Sequence, residues 1–149
     1  MNPFLLPSGE RLADWRHFRI SLTAFSDRQR YTAVASYWAQ APLIKLAYDL
    51  DNCQGWPSIW EMIHANRWCR NTVAIGMEAT LRLADMSPDR LSLRLIHDRK
   101  IEDILVILLI DDHWVLNYDW GSLRVSSATD HYIMREWRFT GRGYSTLDG

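Results

Sequence analysis

"NRWCRNTVAIGMEATL", residues 66–81, decides how the rest of the chain is read. Val73, Met77 and Leu81 recur at helical spacing below Cys69, and Asn66 breaks the segment that precedes them. The stretch predicts an amphipathic helix headed by a cysteine and ending before "DMSPDR" (85–90). A helix start carries partial positive charge, which favours a thiolate over a thiol. As the first member of the apolar stripe, Cys69 also reads as a small buried hydrophobe with an inert sulfur.

Outward from this helix the chain divides into two halves. On the N-terminal side, Pro3, Pro7 and Gly9 mark an extended arm. Leu12, Trp15, Phe18 or Arg19, and Leu22 then make an amphipathic stretch. "SDRQ" (26–29) is a capping-box pattern opening a helix through Tyr31, Val34, Ala35 and Trp38, which Pro42 ends. "DNCQGW" (51–56) is a turn, and Pro57 is placed as the first residue of a short helix, "PSIWEMIHA" (57–65). On the C-terminal side the period changes to two. "RLSLRLIH" (90–97) alternates, with Leu91, Leu93 and Leu95 on one face. "ILVILLI" (104–110) is apolar on both faces, as a central strand is. "DDH" (111–113) turns the chain back into "WVLNY" (114–118), and "SLRVSS" and "YIMREWRF" supply two further strands. Helices followed by an antiparallel sheet give an α+β class, with the cysteine-headed helix packed on the sheet and residues 1–149 as a single domain.

Composition bounds the function. Apolar residues make up 48% of the 149, enough for a sizeable core, and eight tryptophans make aromatic packing important. Lys+Arg 17 against Asp+Glu 18 leaves no basic footprint, so no nucleic-acid partner is expected. No apolar run reaches about 18 residues, and no membrane span is expected. "MNPFLLPSGERLADW" lacks the basic end and apolar run of a secretory signal, which favours a reducing, cytoplasmic or virion-associated location. Cys53 and Cys69 are read as free thiols, and no metal-ligand spacing or cofactor motif is present.

The order of these words carries a resemblance. "GWPSIWEMIHANRWCRNTVAIGMEATLRL" (55–83) followed by "DRLSLRLIHDRKIEDILVILLIDDHWVLNY" (89–118) resembles the bacterial transglutaminase-like cysteine proteinases, over about half of the chain. The matching positions are Trp56 to Ser58, Glu61, Cys69 to Val73, Arg90 to Leu95, Val106 to Leu108, and Leu116 to Tyr118. The resemblance implies a transglutaminase-like/papain-like core in which a thiolate attacks a carbonyl carbon, a histidine shuttles the proton, and an acid or amide orients the histidine. Cys69 occupies the nucleophile position and Asn117 the orienting position. The histidine position falls at Leu105, within one residue, and 104–110 contains no histidine. Calcium-dependent members carry acids beside the cysteine. Here the flanks are Trp68, an indole expected to crowd a substrate, and Arg70, a cation beside the thiol that also reads as a plain surface arginine.

His97 is the best substitute base, sharing the face of Leu91, Leu93 and Leu95; His64 on the short helix is the second. His113 lies at the wrong end of its strand, and His17 and His131 have no motif around them. A cysteine without a general base forgoes about 10²–10⁴-fold of rate. The resemblance therefore implies a catalytically degenerate pseudoenzyme that binds other proteins, first of all as a phage virion or assembly component. The competing reading is an active cysteine peptidase, amidase or acyltransferase using Cys69, His97 (or His64) and Asn117. A protease inhibitor using the emptied cleft is a third class.

Overall fold

The helix headed by Cys69 is the axis of the structure. The computed structural model describes residues 1–45, 49–100, 102–129 and 131–147, with Ala128 as backbone only. Four helices, α1 (Ser8–Leu22), α2 (Asp27–Trp38), α3 (Ile59–Ala65) and α4 (Arg70–Arg82), precede six strands. The strands are β1 (Leu91–Asp98), β2 (Asp103–Ile110), β3 (Trp114–Leu116), β4 (Leu123–Val125), β5 (His131–Phe139) and β6 (Tyr144–Thr146). They form one antiparallel sheet in the order β4-β3-β2-β1-β5-β6.

The stripe expected on α4 is only part of its buried surface. Every residue from Thr72 to Leu81 is buried, because the sheet covers one side of the helix and α1–α3 cover the other. Small residues permit this close packing. Trp38 of α2 lies against Gly76, and the indole N–H groups of Trp15 and Trp38 both donate to Thr80 Oγ1 at 3.0 Å. Thr80 in turn donates to the Gly76 carbonyl at 2.7 Å, so its hydroxyl is fully used. At the far end of α4, Glu78 is buried with Arg82 paired to it and Tyr144 Oη donating at 2.6 Å. Burial raises the Glu78 carboxyl above the usual range, against the pull of Arg82 and Tyr144.

Helix ends follow local chemistry. The capping box of Ser26 and Gln29 forms as its pattern predicts. Pro57 does not begin α3; Ser58 is the cap, boxed with Glu61, so the helix starts at Ile59. Asn66 ends α3 in the left-handed region (φ 53°). Arg11 is buried and donates to the carbonyls of Ile63 and His64 at 2.8 and 2.9 Å, which ties α1 to the last turn of α3.

β2 is central, as its two-sided apolar pattern predicts. Val106, Leu108 and Ile110 face the helices with Leu91 and Leu93, whereas Leu105, Ile107 and Leu109 form a second cluster on the other face with Ile96 and Val115. The sheet ends on both sides in strands of three residues, β4 and β6. Among the described residues, no helix is long and apolar enough to cross a membrane.

Candidate functional site

Cys69 is the N-cap of α4, and it is half-buried rather than the core thiol its place on the stripe suggested. The cap position turns it out of the helix, and it lines an open cavity of about 660 Å³ with Ile44, Lys45, Arg70, Asn71, Asp103, Ile104 and Leu105. Its backbone N–H donates to Thr72 Oγ1 at 2.9 Å. The same hydroxyl lies 3.0 Å from the Cys69 carbonyl and 3.6 Å from its sulfur, and its one hydrogen serves these two acceptors. Trp68 does not crowd the cavity. Its indole is buried in the core, T-shaped against Trp38 at 4.8 Å, with Nε1 donating to Asn66. Its carbonyl accepts from Ile44 N–H at 2.8 Å, which brings the segment after α2 to the rim.

The start of α4 is clamped to the sheet by two asparagines. β3 pairs with β2 only from Leu108 onward, because Asn117 turns into the left-handed region (φ 72°). Val106, two residues earlier, is left without a strand partner on that side. Its N–H donates to Asn71 Oδ1 at 3.0 Å and its carbonyl accepts from Asn117 Nδ2 at 2.9 Å. Asn117 Nδ2 also donates to the Arg70 carbonyl at 2.8 Å. Arg70 returns the contact through its guanidinium, which donates to the carbonyls of Asn117 and Tyr118 at 3.3 and 2.6 Å. Two side-chain amides thus complete an interrupted ladder and fix the cysteine relative to β2.

Of the other expected triad members, Asn117 stands beside the start of α4 and His97 is not among the residues lining the Cys69 cavity. The histidine position is expected at Leu105 within one residue; the Leu105 side chain belongs to the far-face cluster, and both it and Ile104 line the Cys69 cavity. Strand alternation puts its neighbour Ile104 on the helix side, in the Cys69 cavity and 48% exposed. His97 sits directly across β1 from Ile104, but its ring stacks on Tyr132 of β5 (5.0 Å), the strand on the opposite side of β1. His64 is exposed on α3 and lines another cavity. His113 packs edge-on against Trp114, and His131 Nδ1 lies 2.7 Å from Thr129 Oγ1. Asn117 has both donor hydrogens committed to backbone carbonyls; its Oδ1 is buried and unpartnered. Among the described residues, no histidine lines the Cys69 cavity.

No protein-family model and no curated protein sequence matches the chain. Solved structures do. A structure of Legionella pneumophila LapG matches with a TM-score of 0.74 over 93% of this chain and 77% of that one, at 17% identity. The calcium-bound form of LapG matches at 0.74 with 16% identity over 95% and 81%. The EGTA-treated form gives 0.74 and 17% over 95% and 78%. The fold is the transglutaminase-like one.

A calcium ion beside the cysteine would need six to eight oxygen ligands. The residues flanking Cys69 supply a core indole and a guanidinium, Asp103 is the one carboxylate among the residues lining the cavity, and the nearby carbonyls of Asn117 and Tyr118 already accept from Arg70. This donor set does not fit calcium. Among the described residues, no group of three or more His, Cys, Asp or Glu side chains stands close enough to hold a metal.

Asn71 was not singled out by the sequence, and Ile104 lay within the one-residue range given for the histidine position. Asn71 carries no signal without knowing where the β2–β3 ladder stops. Ile104 had one, since alternation from the Leu91, Leu93 and Leu95 face assigns the even-numbered positions of β2 to the helix side.

Proposed function

We propose that the chain is a catalytically degenerate transglutaminase-like protein that works by binding another protein. The observation that carries this reading is the lining of the Cys69 cavity, where the helix-side residue of β2 is the aliphatic Ile104 and, among the described residues, no histidine is present. Without a base there, an attacking thiol has nowhere to pass its proton, and a leaving amine has no donor. Thr72 Oγ1, the polar side-chain atom 3.6 Å from the sulfur, is far too weak a base to replace an imidazole. A protein partner is the class that fits such a fold. The narrower choice, a virion or assembly subunit, rests on the resemblance of the sequence alone.

One observation favours the competing reading, an active cysteine peptidase, amidase or acyltransferase. Cys69 is accessible at a helix start, and Asn117 keeps an unpartnered acceptor, the atom type that an imidazole N–H seeks. Iodoacetamide alkylation separates the two. In a Cys53→Ser background, the rate of Cys69 is compared across pH with that of a free cysteine peptide in the same buffer. The pseudoenzyme reading expects the two profiles to coincide within about threefold, and expects Ile104→His to accelerate the reaction near pH 7. A wild-type rate at pH 7 tens of times that of the peptide, lost on His97→Ala or His64→Ala, overturns it.

A further inference from the structure

The face formed by α1 and α3 lies away from the Cys69 cavity and has a composition unlike the rest of the chain. Its centre is Trp60, 47% exposed, with Ile20 exposed nearby on α1. Trp60 divides two surface cavities of about 690 and 600 Å³. The first is walled by α1 and carries Arg16, His17 and Arg19; the second is walled by α3 and carries His64 and Arg67. Glu61 is the acid among the residues lining them, and its carboxylate already accepts from the Ser58 N–H at the cap of α3. A chain with net charge −1 therefore gathers three arginines and two histidines around one exposed indole.

Arg19 shows that this charge is unneutralised. Its guanidinium lies 4.2 Å from the Trp15 ring centroid and 5.2 Å from that of Trp60, while the two indoles meet T-shaped at 5.1 Å. The Arg19 Nε is buried without a hydrogen-bond partner, and the neighbouring charge is another cation, Arg16. An aromatic clamp thus holds a planar cation in place with no carboxylate paired to it among the described residues, which leaves its charge for an incoming carboxylate.

We infer that the α1–α3 face is a docking surface for an acidic protein segment, in which a carboxylate meets Arg16 and Arg19 and an apolar side chain packs on Trp60. Charge complementarity selects this occupant. The patch is too small and too isolated for nucleic acid, whose binding needs a basic stripe matched to successive phosphates. The surface is independent of the Cys69 chemistry and stands whichever reading of that site holds.

The test is fluorescence anisotropy of a labelled peptide of alternating Glu and Leu, with an alternating Lys and Leu peptide and a DNA oligonucleotide as competitors, on the full chain. The acidic peptide is expected to bind with an affinity that falls as salt rises, and neither competitor displaces it. Arg16→Glu with Arg67→Glu, two exposed positions, weakens binding about tenfold or more. Trp60→Ala, checked by circular dichroism for an intact fold, does the same, and the Cys69 alkylation rate stays unchanged in each variant. Equal binding of acidic and basic peptides overturns the inference. So does an affinity indifferent to the charge reversal, or displacement by DNA.

Discussion

Replacing Gly76 by alanine sets two effects of opposite sign against each other. Helix propensity alone favours alanine in mid-helix by about 1 kcal/mol. The structure opposes it. A Cβ on Gly76 would lie 2.4, 2.6 and 2.8 Å from Cη2, Cζ3 and Cζ2 of Trp38, where carbon atoms need about 3.5 Å. The indole cannot swing aside. It is fully buried, with Phe4 at 5.3 Å, Trp68 at 4.8 Å and its Nε1 bonded to Thr80. A shift of about 1 Å relieves the overlap only by straining that hydrogen bond. Overpacking costs about 1–3 kcal/mol and a weakened buried hydrogen bond about 1 more, so the net loss is about 1–3 kcal/mol. For a chain of this length that lowers Tm by roughly 3–10 °C. Urea unfolding followed by tryptophan fluorescence gives the free energy directly. The three overlapping atoms belong to the benzo ring, so Trp38→Phe in the same chain should recover at least about 1 kcal/mol beyond additivity. A Gly76→Ala protein as stable as the parent, or strictly additive variants, would show that α2 and α4 are not packed as described.

Two further outcomes follow from the residues at either end of α4. Because Glu78 has a carboxyl raised by burial, its favourable contribution is complete below the unfolded value of about 4.3 and is lost as pH rises through the folded value. The stability of Glu78→Gln relative to the parent should therefore climb from pH 4 upward, whatever its offset from the lost Arg82 pairing; urea titrations at several pH values that give parallel curves would refute this. Asn117→Ala leaves the Val106 and Arg70 carbonyls without their donor, at a cost of about 1–3 kcal/mol. It should also loosen the start of α4, seen as faster amide exchange there than at the C-terminal end of the same helix, and uniform exchange along α4 would count against the clamp.

What the sequence disclosed was what local chemistry or strict periodicity determines. The Ser26–Gln29 box, the α4 helix, the two-sided burial of β2 and the hairpin into β3 were all readable in this way. Pro57 competed with Ser58 and Glu61 for the start of α3, and the reciprocal hydrogen bonds of the box prevailed over the fixed φ of proline. β6, three residues in "YST", has no pattern of its own and exists because β5 offers it an edge. Arg11 reads as a surface charge until the carbonyls of Ile63 and His64, more than fifty residues away, are brought to it. At the site the sequence left the register open by one residue. Leu105 and Ile104 are adjacent in sequence but lie on opposite faces of the sheet, so a range of one residue spans both faces.

The brevity of β4 and β6 leaves the two borders of the sheet unequal. On the β4 side, three residues expose few backbone donors and acceptors to an incoming strand. On the other side β6 covers β5 only from Trp137 to Phe139, so among the described residues the border continues along Tyr132 to Arg135 of β5. Strand addition would have more length to work with along β5 than along β4.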